Sequence, residues 1–351
     1  MIDVLFIVTN EVTRRSIEPV FDIFLENGFK CGVVANSYCV KHMQRYVNHF
    51  IGEKESRDLV CNFVVSANPI PLNAFKGRRV SIPHGSMFGN SAWSLLRAIH
   101  SDIYFGVSPG ELPYIKRNLN DKFNDAKFFA SGCPQNDYLI NLINASQEYK
   151  SHQRELLGLN KKTILLTSHW QSIGNLRRFG AGLLDALVWN FPNHQIICTC
   201  HPTILNSPKT EFRINQNVRT PHFDSKWLIQ SLKSKASKQV KVILDEKKSS
   251  ELLLLSDLFI GDNSSILIEA SMFKMPLMKS NGGFYFDKKI SEIVSLGTHG
   301  FGNIEELLGG IQFIETSNST HIKTGKEICD LFNYNVGCSA MTIFNKMNEM
   351  S

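Results

Sequence analysis

Leu258-Phe259-Ile260-Gly261-Asp262-Asn263-Ser264-Ser265-Ile266-Leu267-Ile268-Glu269 is an apolar strand, a tight turn, small polar residues and then an apolar helix with one acid in it. In an open α/β sheet, ligands gather beyond the carboxyl ends of the strands. A helix starting there leaves backbone N–H groups unpaired and turns its positive dipole end toward the crevice, an arrangement that suits a pyrophosphate. Ser264 and Ser265 add hydroxyl donors, and Asp262 and Asn263 complete a polar shelf. Glu269 follows Ser265 by one helical turn, about 6 Å along the axis, which matches the offset from a diphosphate to the ribose diol of its nucleotide. Helix capping by Asn263 or Ser264 would account for one polar residue, but not for four in a row followed by a lone acid.

Outward from this stretch, strand-length apolar runs alternate with longer amphipathic segments, the mark of parallel sheets with crossover helices. In the first half the strands are expected at Val4–Val8, Lys30–Ala35, Leu59–Ser66, Arg79–Ile82, Ile103–Val107 and Lys127–Ala130. Ser16–Glu26 sets Ile17, Val20, Phe21, Phe24 and Leu25 on one helical stripe. A polar segment, Asn136–Leu159, precedes a fresh series: Thr163–Thr167, a helix near Leu176–Trp189, Gln195–Cys200 and Asp257–Gly261. The expected fold is two Rossmann-like, doubly wound α/β domains facing a central cleft. Residues 1–155 would form the acceptor-side domain, 156–325 the nucleotide-donor domain, and 326–351 a C-terminal helix packing back on the first. Ser280-Asn281-Gly282-Gly283-Phe284 reads as a flexible loop.

With 351 residues, 43% of them hydrophobic and 20% charged, the chain suits two globular domains, each with its own core. No apolar run approaches the ~20 residues of a membrane span. Met1-Ile2-Asp3 leads straight into an apolar strand without the features of a signal peptide, so a cytoplasmic protein, peripheral at most on the inner face of the membrane, is expected. The eight cysteines lie mostly inside apolar runs, as reduced core thiols do. The net charge of +6 gathers in Lys226, Lys233, Lys235, Lys238, Lys241, Lys247 and Lys248. That 226–248 segment suits an anionic polymer or an acidic lipid surface, and it lacks the interleaved aromatics of a nucleic-acid platform.

Two histidines end strands in the same way. His84-Gly85-Ser86 follows the fourth strand, and His201-Pro202 follows Gln195–Cys200. A neutral imidazole can take a proton from an attacking hydroxyl, whereas a protonated one can neutralise a phosphate oxygen. Gly85 lets a ligand approach the backbone, so Gly85 and Ser86 join His84 on the acceptor side. Cys198-Thr199-Cys200-His201 has poor zinc spacing and no second pair, no Asp-x-Asp stands near the shelf, and no Gly-x-Gly-x-x-Gly or P-loop occurs. No metal and no cofactor are therefore expected.

Five motifs in order, His84-Gly85, Gly132-Cys133-Pro134-Gln135-Asn136-Asp137, Trp170-Gln171, His201-Pro202 and Asp262-Asn263-Ser264-Ser265 with Glu269, resemble those of the CDP-glycerol glycerophosphotransferases of teichoic-acid synthesis. The resemblance implies a GT-B fold and a CDP-linked, nucleotide-activated donor. It also implies an anionic-polymer or lipid-linked acceptor, with His84 as the base and His201, Ser264 and Ser265 on the donor phosphates. Ser168, Trp170, Asp262, Asn263 and Glu269 complete the donor side. Two arginines of that pattern are Gln135 and Gln171 here, and its tyrosine is Asn263. Glycosyl transfer or UDP-sugar 2-epimerisation on the same fold, and a non-catalytic nucleotide-binding or polymer-binding module, are the alternatives.

Overall fold

The computed structural model describes residues 2–69, 75–85, 88–89, 92–119, 122–170, 174–201, 204, 225–244, 249–283, 286–317 and 321–351. It divides into two compact units, residues 1–140 with 330–351, and residues 141–329. Residues 141–155 thus belong with the second unit, although the sequence reading placed them in the first. The helix Gln147–Leu156 is tied there by Arg154, whose Nη1 donates to Leu255 O at 2.6 Å and lies 3.4 Å from Asp257 Oδ2.

The first unit is a parallel sheet of β1 (Ile2–Val8), β2 (Cys31–Ala35), β3 (Val60–Ser66), β4 (Lys76–Ser81), β5 (Ile103–Gly106) and β6 (Phe128–Ala130). Their order is β2-β1-β3-β4-β5-β6, so the winding reverses between β1 and β3. On the helix Glu11–Glu26, Ile17, Val20, Phe21 and Phe24 are fully buried against Val4 and Phe6. The final helix, Ser339–Asn348, closes this core with Ile343, Phe344 and Met347. The Phe24 and Phe344 rings meet edge to face at 5.0 Å, a favoured aromatic geometry. Asp137 anchors that helix: Oδ1 accepts from Gly337 N and Ser339 N at 3.0 Å, and Oδ2 from Ala340 N at 2.8 Å. At Gly132 (φ +87°) a Cβ would strike Tyr334 O, so glycine is required there. Much of the Gly132–Asp137 motif therefore serves to hold the chain end.

The second unit contains β7 (Lys162–Leu166), β8 (His194–Cys198), β9 (Val240–Val242), β10 (Leu258–Asn263), β11 (Leu277–Gly283) and β12 (His299–Phe301), all parallel. Their order is β12-β11-β10-β7-β8-β9, the doubly wound arrangement with its reversal between β7 and β10. Both units are thus α/β and Rossmann-like. Ser280–Gly283, expected as loop, is the end of β11, paired to β10 and, through Ser280, to β12. Phe284 lies outside the described residues. No described helix is long and apolar enough to cross a membrane.

Candidate functional site

At the switch point of the second unit, Asp262 is fully buried near the end of β10. Its carboxylate accepts from His169 N at 2.8 Å, from Asn175 N at 3.2 Å and from Ser280 Oγ at 2.5 Å. Burial pushes this carboxyl up, and the three donors pull it back. Asp262 therefore stitches the loop after β7 to β10 and β11 and is turned inward, although the sequence reading offered it to the donor. Gly261 is needed beside it, since a Cβ would sit 2.8 Å from Thr167 Oγ1.

Ser168 is similarly occupied. Its Oγ accepts from Leu176 N at 3.0 Å at the start of the helix Asn175–Phe179, and its carbonyl accepts from His201 N at 2.9 Å. Glu269 is buried, with Ser250 Oγ donating to its Oε2 at 2.6 Å. Ser264 begins the helix Ser265–Ala270 in extended conformation, and no side chain caps that helix. Among the described residues the Ser264 hydroxyl reaches Asp262 O, at 3.4 Å. Among the described residues neither the Asn263 nor the Ser264 side chain caps this helix as a plain N-cap would, and Leu267 N donates instead to the Ser264 carbonyl at 3.1 Å. Asn263 Oδ1 and, after β8, Thr199 Oγ1 are buried without a hydrogen-bond partner among the described residues.

Three rings gather beyond β7 and β8. His169 and Trp170 centroids lie 4.9 Å apart, His169 and His201 5.3 Å, and Trp170 and His201 6.4 Å. His169 is held down to about 2 by burial and then by His201 and Arg177, so it remains neutral at every working pH. His201 is half-buried at the rim of the cluster. Burial lowers Arg177 and also Lys279, which stands beside Asp262 on β11. The end of this sheet therefore concentrates cations and rings.

His169, Arg177 and Lys279 were not among the sequence candidates. The rule that selected His84 and His201, a histidine just past a strand, also fits His169 after Thr163–Thr167. Lys279 was hidden by the loop reading of its neighbours, and Arg177 by its place inside a helix.

In the first unit, β4 ends at Ser81 and the chain continues through Ile82 and Pro83 to His84, which is half-buried. Burial and then the Arg97 charge hold its imidazole down to about 4. A Cβ on Gly85 would lie 4.0 Å from Gln135 Nε2, so the glutamine that stands for an arginine borders this turn. Ser86, Gln171 and Pro202, like Lys247 and Lys248, lie outside the described residues.

Cys198 and Cys200 are buried, which pushes the Cys200 thiol up to about 12 and Cys198 higher still. Protonated thiols are poor metal ligands. Among the described residues no three His, Cys, Asp or Glu side chains converge on a metal position. Of the lysine-rich segment, Lys226, Lys233 and Lys238 are exposed and Lys235 pairs with Asp185 at 2.6 Å.

No protein-family model matches the chain, and a search of curated proteins finds no match. Solved structures do resemble it in fold. The wall teichoic acid polymerase TagF aligns with a TM-score of 0.65 at 15% identity, covering 99% of this chain and 88% of that one. S. aureus MnaA, solved with UDP, gives 0.66 at 12% identity, covering 100% and 97%. A glycosyltransferase from Rickettsia africae ESF-5 gives 0.55 at 16%, covering 98% and 93%. At such identities the likeness shows the fold.

Proposed function

We propose that this chain is a transferase that moves a polyol-phosphate group from a CDP-activated donor to a hydroxyl of a cell-surface polymer or lipid-linked acceptor. The observation that carries the reading is the switch point of the second unit. There an uncapped helix start at Ser264 shares the sheet end with His201, Trp170 and Arg177, a set that suits a nucleotide pyrophosphate. Asp262 and Ser168 act as positioning groups, and Ser264, Ser265, His201 and Arg177 take the phosphates. Glu269 is kept for the ribose, and its bond to Ser250 would have to open for that.

In this reading His84, held neutral, accepts the proton of the acceptor hydroxyl. The acceptor oxygen forms a bond to the distal phosphorus, the bond from that phosphorus to the bridging oxygen breaks, and CMP leaves with the electron pair. Positioning and charge stabilisation are what phosphoryl transfer chiefly needs. The proposed site works without a divalent ion, on the chain's own cations. The exposed lysines of 226–248 would face an anionic acceptor or membrane surface.

The second reading, a UDP-sugar epimerase or glycosyltransferase, is favoured by the equally good fold match to UDP-bound MnaA. Thermal-shift screening against CDP-glycerol, CDP-ribitol, UDP-sugars and CMP-sugars decides, because stabilisation follows affinity for the folded state. Stabilisation by CDP-polyols is expected. A response to UDP-sugars alone favours the second reading, and a response to none leaves the donor site without support.

A further inference from the structure

The first unit buries an ion pair. Arg97, on the helix Ala92–His100, is 2% exposed, and Tyr104 and Glu111 are fully buried. Arg97 Nη2 donates to Tyr104 Oη at 3.0 Å, and the Tyr104 hydroxyl donates to Glu111 Oε1 at 2.6 Å. Glu111 Oε2 accepts from Val107 N at 2.7 Å, and the charges of Arg97 and Glu111 approach to 3.8 Å. Burying such a pair seldom stabilises a fold more than apolar residues of the same volume would. Its geometry points elsewhere: Arg97 Nη1 donates to Ile82 O at 2.6 Å, two residues before His84.

We propose that Arg97, braced by Tyr104 and Glu111, is a positioning residue for His84, fixing the strand-end backbone that carries the imidazole and setting a permanent cation beside the ring. Among the described residues the guanidinium is the charged group that bears on His84, after burial. Glu111 behind it partly offsets that field, so the pair sets its strength as well as its place. A base next to a fixed cation stays neutral at pH values where a free histidine is half protonated. The mechanistic meaning rests on His84 being the base proposed above, whereas the positioning itself can be read without turnover.

The test is NMR titration of the full chain carrying labelled histidine, with the His84 signal assigned by its loss in His84→Ala. In the unaltered protein His84 should stay neutral to about pH 4 or until acid unfolding. Titration near 6.5 overturns the proposal. In Arg97→Met the midpoint should rise by about one unit, the effect of removing a nearby charge at an intermediate dielectric. A folded variant with an unmoved midpoint also overturns it. If Arg97→Met does not fold, Arg97→Lys takes its place: it keeps a cation for Glu111 but draws it back from Ile82, so a smaller upward shift is expected and none refutes the idea. His84→Ala with full turnover, beside the expected titrations, would remove the base assignment and leave the positioning intact.

Discussion

Both units turn a strand into a helix at the switch point of their sheet, and they finish that turn differently. After β1, the helix Glu11–Glu26 opens under a complete capping box: Thr13 N donates to Asn10 Oδ1 at 2.9 Å, and Asn10 N to Thr13 Oγ1 at 3.0 Å. After β10, the helix opens at Ser264 with no side-chain cap. The first helix spends its terminal donors on a side-chain box, whereas the second has no side-chain cap and its Leu267 N donates to the Ser264 carbonyl at 3.1 Å. The histidines divide in the same way. His84 is held neutral beside Arg97, while His201 stands in a cluster with His169, Trp170 and Arg177. On the proposed function, proton transfer would fall to the first unit and anion binding to the second.

The largest expected effect tests that division. His84→Ala should reduce turnover by about 100- to 10,000-fold, the range for a lost general base, and leave the nucleotide dissociation constant near its original value. His201→Ala should weaken nucleotide binding and turnover together, because a phosphate contact acts in ground state and transition state alike. Equal loss of nucleotide binding in both variants would abolish the contrast.

A smaller effect separates the two helix starts. Replacing Ser264 and Ser265 by Ala should cost about 1 to 3 kcal/mol of nucleotide affinity, with little change in melting temperature. Asn10→Ala should do the reverse, lowering stability by about 0.5 to 2 kcal/mol through the lost cap and leaving affinity alone. Calorimetric binding and thermal melts on both variants are sufficient. A serine variant that melts early but binds normally would return Ser264 and Ser265 to a structural role. If the second unit's own cations balance the donor charge, EDTA should leave turnover unchanged. Loss of activity that magnesium or manganese restores would break that assignment.

What was legible follows from periodicity. Five of the six strands of the first unit are apolar runs and β4 turns apolar only at its end, and each formed within a few residues of its expected place. In the second unit β9 and β12 have three residues each, too few for a pattern, and β11 carries Lys279, Ser280, Asn281 and two glycines, residue types that strands seldom favour. It is a strand because β10 and β12 pair with it and Asp262 takes its Ser280 hydroxyl, which are tertiary facts. Residue type likewise placed Asp262 and Ser168 at the strand ends but could not tell which way they turn. Both turn inward, so the cations beside them, Arg177 and Lys279, had to be found in the fold.

The opposite, amino edges of the two sheets offer the finest test, because there the units use one device. Ser101-Asp102 precedes β5 and Ser256-Asp257 precedes β10, and each aspartate accepts the N–H of a neighbouring strand residue at 2.8 Å, Arg79 N in one case and Thr163 N in the other. They differ in the arginine. Arg79 grips Asp102 with Nε at 3.0 Å and Nη2 at 2.5 Å, whereas Arg154 meets Asp257 once at 3.4 Å. The Arg79 grip holds the Asp102 carboxyl below the usual aspartate range. The Asp102 side chain is 41% exposed, so solvent screening keeps the ion pair itself to about 0.2 to 1 kcal/mol. Because the folded value is depressed, the contribution is complete above the unfolded value of about 4 and fades as pH falls through the folded one. Asp102→Asn should therefore lower the urea midpoint at pH 7 by more than Asp257→Asn does, and its deficit should shrink toward pH 3. Equal deficits at pH 7, or one for Asp102→Asn that persists unchanged into acid, would show that the shared backbone bond, not the arginine, stabilises these edges.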